Sequence, residues 1–169
     1  VMVRGPLNQK VGAHYAILAD KTAAIEMSAA SGITLVPKKE LDPLKANTFG
    51  TGELILDAVA RGCKSIILGL GGSATNDGGM GLGAALGIRY LDRDGGELSP
   101  CGGNAQKVER VDASGLKKAL LAADFTLACD VDNPLCGETG ASAIFGPQKG
   151  ATPELVRRLD EGLFKLCAV

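Results

Sequence analysis

Residues 65–92 read SIILGLGGSATNDGGMGLGAALGIRYLD, and the fold turns on how this stretch is parsed. Ser65–Leu70 is a short apolar run of strand type, and Ile88–Asp92 is a second, with a β-branched and an aromatic residue. Between them lie turn-forming residues and then a run rich in alanine and leucine. Strand, loop, helix and strand in that order point to an α/β domain. Glycine costs about 1 kcal/mol against alanine inside a helix, so Gly78, Gly79, Gly81 and Gly83 together would cost roughly 3–4 kcal/mol if all were helical. Two physical causes would offset that cost. Either the backbone needs unusual dihedrals or close packing, or an anionic ligand approaches the main chain. Gly71, Gly72, Ser73, Thr75 and Asn76 bring main-chain, hydroxyl and amide donors to the same place. They are candidates to bind phosphate oxygens or a substrate carboxylate.

On the N-terminal side, Val1–Arg4, Val11–Leu18 and Thr22–Met27 are β-prone runs separated by turn residues, which predicts an antiparallel opening section. His14, the one histidine, falls in the second run as an ordinary strand residue. Residues 37–45 form a charged, proline-containing connection with a solvated face. Leu54, Ile55, Ala58 and Val59 then recur at helical spacing and predict a helix from Gly52 to Arg61. Its start, Thr48–Gly52, offers Thr51 either as a helix cap or as an anion donor. On the C-terminal side, a helix near Leu116–Ala122, a strand over FTLACDV, a long polar loop and a last helix complete the chain. The expected fold is a mixed sheet flanked by helices, in a single domain over residues 1–169. Both ends have the look of a segment cut from a longer chain, because the first residues enter a strand at once and the last stop inside an apolar helical pattern.

Composition excludes several classes. Aromatic residues make up 4% with no Trp, which leaves little on which bases could stack, and 18 Lys plus Arg against 19 Asp plus Glu leave no basic footprint for nucleic acid. No apolar stretch reaches the length of a membrane span, and the N-terminus lacks a signal-peptide pattern. The five cysteines, Cys63, Cys101, Cys129, Cys136 and Cys167, form no metal-type spacing. Cys63 and Cys129 adjoin apolar runs and are expected to be small buried hydrophobes, and Cys136 lies in a polar loop. A soluble protein of the reducing cytoplasm fits these features.

The glycine loop is not a Walker A motif, since no Lys-Ser or Lys-Thr follows it. A dinucleotide fingerprint competes: Gly69-x-Gly71-x-x-Ala74 follows a strand, and Asp92 ends the next. Against a nicotinamide-dependent oxidoreductase stands Asn76-Asp77-Gly78-Gly79, a turn where that helix should already be running. In ACDVDNPL, Asp130 and Asp132 are two apart and would face one side of a strand, within reach of one Mg²⁺, though a polar strand exit explains them as well. Lys149, among the turn residues Gly146–Gly150, would meet an anionic substrate or point into solvent, and solvent is the simpler expectation.

Taken together, FGTGELI (49–55), GGSATNDGGMG (71–81), ACDVDNPL (128–135) and IFGPQKGA (144–151) resemble the bacterial glycerate kinase family (type 1), as do GPLNQKV (5–11) and IEMSAASG (25–32). The resemblance runs over essentially the whole chain. It implies a phosphotransferase that uses ATP and Mg²⁺ to phosphorylate a hydroxyl of glycerate. It also implies that this chain is similar to the middle lobe of a two-lobe enzyme, with an active site between the lobes and the isolated lobe incomplete as a catalyst. On that resemblance the GGSATNDGG loop becomes a substrate or phosphate loop, with Asp77 or Asp130 as proton acceptor, Asp130 and Asp132 near the metal, and Thr51, Ser73 or Lys149 holding a carboxylate or phosphate. A non-catalytic scaffold lobe is the remaining alternative.

Overall fold

The computed structural model describes residues 1–169. Strands β1 (Met2–Arg4) and β2 (Lys10–Gly12) form an antiparallel hairpin, and β3 (Ala16–Ile17) pairs antiparallel with β4 (Thr22–Glu26). A single turn of helix, α1 (Ser28–Ser31), and the long α2 (Phe49–Ala60) lead to β5 (Ser65–Gly69), which runs parallel to β4. Helix α3 (Met80–Leu86) and a small antiparallel pair, β6 (Arg89–Leu91) and β7 (Arg110–Asp112), follow. Strand β8 (Asp124–Ala128) then joins β5 in parallel, and helices α4 (Ala141–Phe145) and α5 (Pro153–Ala168) close the chain. The main sheet has the order β3-β4-β5-β8, mixed and flanked by helices as the sequence predicts.

In-register neighbours share a face of the sheet. Ala23 and Ile25 of β4 align with Ile66 and Leu68 of β5, and all four are buried against Leu54, Ile55 and Ala58 of α2. Ile67 faces the other way and is exposed, so β5 is buried on one face only and is not the fully buried strand that its apolar run suggests. The same core face continues to Phe125 and Leu127 of β8, which pair with Ile66 and Leu68 yet remain 44% and 61% exposed. A second core of Met80, Tyr90, Ala105 and Val108 joins α3 to β6. Leu159 and Leu163 of α5 are buried, and that helix starts with Thr152 accepting from Leu155 N at 3.3 Å and proline at its first position.

Several local expectations change. Helix α2 starts at Phe49 and not at Gly52, and glycine is needed where neighbouring segments press on this region. A Cβ on Gly50 would stand 1.8 Å from Arg4 O, and one on Gly81 of α3 would stand 2.5 Å from the backbone nitrogens of Thr48 and Phe49. His14 lies exposed between β2 and β3, outside any strand. Pro43, in the charged connection, is buried. The helix expected near Leu116–Ala122 is a 3₁₀ turn at Lys118–Ala122, and the strand over FTLACDV stops at Ala128. Cys129 is exposed, whereas Cys63 is buried as expected. No helix is long and apolar enough to cross a membrane.

Candidate active site

After β5 the chain runs through residues 70–79 before α3 begins, with Gly72, Gly78 and Gly79 at φ of +72°, +59° and +79°. Those left-handed values suit glycine and account for part of the glycine content on backbone grounds alone. Asp77 organises the end of this loop. Its Oδ2 accepts from Thr48 N at 2.8 Å, Thr48 Oγ1 at 2.9 Å and Gly81 N at 2.9 Å, and its Oδ1 accepts from Gly79 N at 3.2 Å. Thr48 Oγ1 accepts in turn from Leu82 N at 2.8 Å. A carboxylate here meets the orphan N–H groups at the start of both α2 and α3. Asp77 is 2% exposed, and both its carboxylate oxygens are engaged by main-chain and hydroxyl donors.

Thr51 is likewise committed inside the fold. It is wholly buried, and its hydroxyl shares a hydrogen bond with Ser31 Oγ at 2.8 Å and lies 3.4 Å from Met27 O.

Lys149 reverses the solvent expectation. It sits in the 3₁₀ turn Pro147–Lys149 after α4 and is 8% exposed. Its ammonium donates to Ser73 Oγ at 2.9 Å and to Thr75 O at 2.5 Å. Both acceptors are neutral, and no carboxylate oxygen stands within 4.0 Å of it. Burial therefore pushes the Lys149 pKa down to about 8, with the more distant Asp77 opposing the change. Next to it, Asn76 Nδ2 donates to Ser142 Oγ of α4 at 2.8 Å, deep in the interior. Ser142 escapes a reading of the sequence because nothing in GASAIF distinguishes it from an ordinary helix serine.

These contacts bring the two glycine-rich segments together around a cavity of about 240 Å³. It is lined by Leu70, Gly71, Gly72, Ser73, Cys129, Asp130, Val131, Phe145, Gln148 and Lys149. Gly71, Gly72, Ser73, Asp130 and Lys149 are thus assembled in one place. Thr51, Thr75, Asn76 and Asp77 line a neighbouring pocket that shares Ser73 and Lys149 with the first. Asp132 lines neither of these two pockets. It and Asp130 are exposed and follow the end of β8, so strand alternation does not fix them on one side. No cluster of three His, Cys, Asp or Glu side chains is present. Mg²⁺ is commonly held by one or two carboxylates together with substrate phosphates, and Asp130 and Asp132 are exposed carboxylates of that donor type. The Cys136 thiol, half-buried and 3.7 Å from Asp160 O, has its pKa raised chiefly by burial.

Asp92, which the dinucleotide reading needs beside the loop, follows the last residue of β6 and spends Oδ1 on Asp94 N at 3.0 Å and Gly96 N at 2.7 Å, within its own turn. It adjoins the small β6–β7 sheet and not the parallel one, and the oxidoreductase reading is not favoured.

Comparison with known proteins bears on the same features. A family model described as the glycerate kinase family matches residues 1–169. Curated relatives include a glycerate kinase of Halalkalibacterium halodurans, 48% identical over 96% of this chain and 43% of its own length. A glycerate 2-kinase of Escherichia coli K12 is 51% identical over 95% of this chain and 42% of its own. A crystal structure of a Salmonella typhimurium LT2 chain assigned to glycerate kinase 2 superposes with a TM-score of 0.95 at 50% identity, covering 99% of this chain and 46% of that one. The chain therefore spans less than half the length of these relatives.

Proposed function

The chain belongs to the glycerate kinase family, and from that premise we propose that residues 1–169 are one lobe of an enzyme that transfers the γ-phosphoryl group of ATP to a hydroxyl of D-glycerate. The observation that carries this reading is the buried ammonium of Lys149, held by neutral oxygens between two glycine-rich segments, with an anion-sized cavity in front of it.

In the reaction, the glycerate hydroxyl oxygen bonds to the γ-phosphorus while the bond to the β-phosphate oxygen breaks, ADP leaves, and the hydroxyl proton passes to a carboxylate. Little covalent chemistry falls to the protein, so positioning and electrostatics dominate. Asp130 is the proton acceptor that suits this cavity, because it lines it and Asp77 is already bonded to its anchors. Main-chain groups of Gly71 and Gly72, the Ser73 hydroxyl and Lys149 hold anionic oxygens. Asp132, which lies outside the cavity lining, would hold Mg²⁺ together with the nucleotide phosphates, whose charge the ion neutralises when bound, and Asp130 is left free to take the proton. The rest of the longer polypeptide supplies the remainder of the site, and a cytoplasmic location follows from the use of ATP.

The test is ADP formation from ATP, D-glycerate and Mg²⁺, measured on this chain alone and on the complete natural polypeptide. Turnover only in the complete polypeptide supports a lobe with a shared site. Turnover in neither, with both folded, returns the choice to a nicotinamide enzyme or a scaffold.

A further inference from the structure

A charge buried without a counter-ion is costly unless a ligand supplies one. Lys149 is such a charge, and what shares its cavity limits what the ligand can be. Across from it stand Asp130 and the Cys129 thiol, so the cavity has one cation and one carboxylate and suits a monoanion better than a polyanionic triphosphate, which the Asp130 charge would repel. The remaining walls include Leu70, Val131 and Phe145, which suit a small carbon skeleton. At about 240 Å³ the cavity has room for a small acid.

We propose that this cavity is the acceptor subsite, that Lys149 binds the carboxylate of a small hydroxy acid there, and that the nucleotide lies outside it. The inference rests on the kinase reading and assigns its two substrates to different places. The hydroxy acid sets its carboxylate against the Lys149 ammonium beside Ser73 Oγ and turns its hydroxyl toward Asp130. The charged or titratable groups around Lys149 are Asp77 beyond the loop and Cys129 and Asp130 across the cavity, and none of them forms an ion pair with it.

The experiment measures KM for D-glycerate and for ATP separately in the complete natural polypeptide and in its Lys149→Met and Lys149→Arg variants. Removing a charge-assisted hydrogen bond should raise KM for D-glycerate about 10- to 100-fold in Lys149→Met, with KM for ATP changed less than about threefold and a partial recovery in Lys149→Arg. A rise in KM for ATP with that for glycerate unchanged overturns the inference and leaves the kinase reading intact. If the unmodified enzyme does not turn over glycerate, the kinase reading fails. The subsite is then read from calorimetric titration with D-glycerate: binding lost in Lys149→Met upholds it, and equal binding in both, or none in either, overturns it. Should Lys149→Met not fold, reductive methylation followed by mass spectrometry gives the answer on the unmodified protein. Protection of Lys149 by D-glycerate upholds the subsite, and protection by ATP alone overturns it.

Discussion

Lys149 holds its ammonium by burial against two neutral oxygens, and this makes its stability contribution run opposite to that of a lysine that gains a carboxylate partner on folding. The folded pKa is about 8 and the unfolded one 10.5. Between these the unfolded chain binds more protons than the folded chain, so stability rises with pH across that window. The ceiling on the gain is roughly 3 kcal/mol, since each tenfold change in proton affinity is worth about 1.4 kcal/mol. Cys101 and Cys136, raised from 9.0 chiefly by burial, and Tyr15 and Tyr90, raised from 10.0 chiefly by burial, hold their protons longer in the folded chain and oppose this rise in the upper part of the same window. The expected outcome is that chemical denaturation of the ligand-free chain shows higher stability at pH 9 than at pH 7.5, and that Lys149→Met abolishes the difference. An equal rise in the variant would contradict the assignment. Sequence alone does not place this residue, because its burial depends on partners 74 and 76 positions away, and local pattern carries no information at that distance. The donor-rich loop itself is readable, since glycines beside Ser73, Thr75 and Asn76 are uncommon unless the backbone or a ligand needs them.

At the scale of elements, Asp77 ties α2 to α3, and its removal should be felt as lost stability. Asp77→Asn places an amide where N–H donors converge, and the expected cost is about 2–4 kcal/mol in urea denaturation. A variant as stable as the unmodified chain but without turnover in the complete polypeptide would instead return Asp77 to the role of proton acceptor. The order β5, loop, α3, β6 is legible because apolar runs and turn residues alternate cleanly over residues 65–92. The start of α2 is not, because Gly50 and Gly52 look like loop residues. Only the three-dimensional neighbours, Arg4 O and Ala85 Cβ, explain why glycine is tolerated inside that helix. Asp130 and Asp132 look like strand neighbours on the page, and the early end of β8 removes the basis for that reading.

For the whole molecule, the outer strand of the main sheet decides behaviour in solution. Strand β8 is an edge, exposed at every position, and carries Phe125 and Leu127 on the face that elsewhere forms the core. Unpaired edges and apolar patches of this kind promote association. The 169-residue chain on its own should therefore show concentration-dependent oligomers in sedimentation velocity, and Leu127→Lys should shift it toward monomer. A chain that stays monomeric at high concentration would show that this edge is harmless.

The clasp on Lys149 also has a kinetic side. Its hydrogen bonds close a loop of about seventy-five residues, whereas the β1–β2 hairpin closes one of a few. Contacts so distant along the chain carry a larger closure entropy and form late. Nascent chains would thus build the hairpin and helices well before they possess an anion site, which shares its late formation with the long-range pairing of β5 and β8.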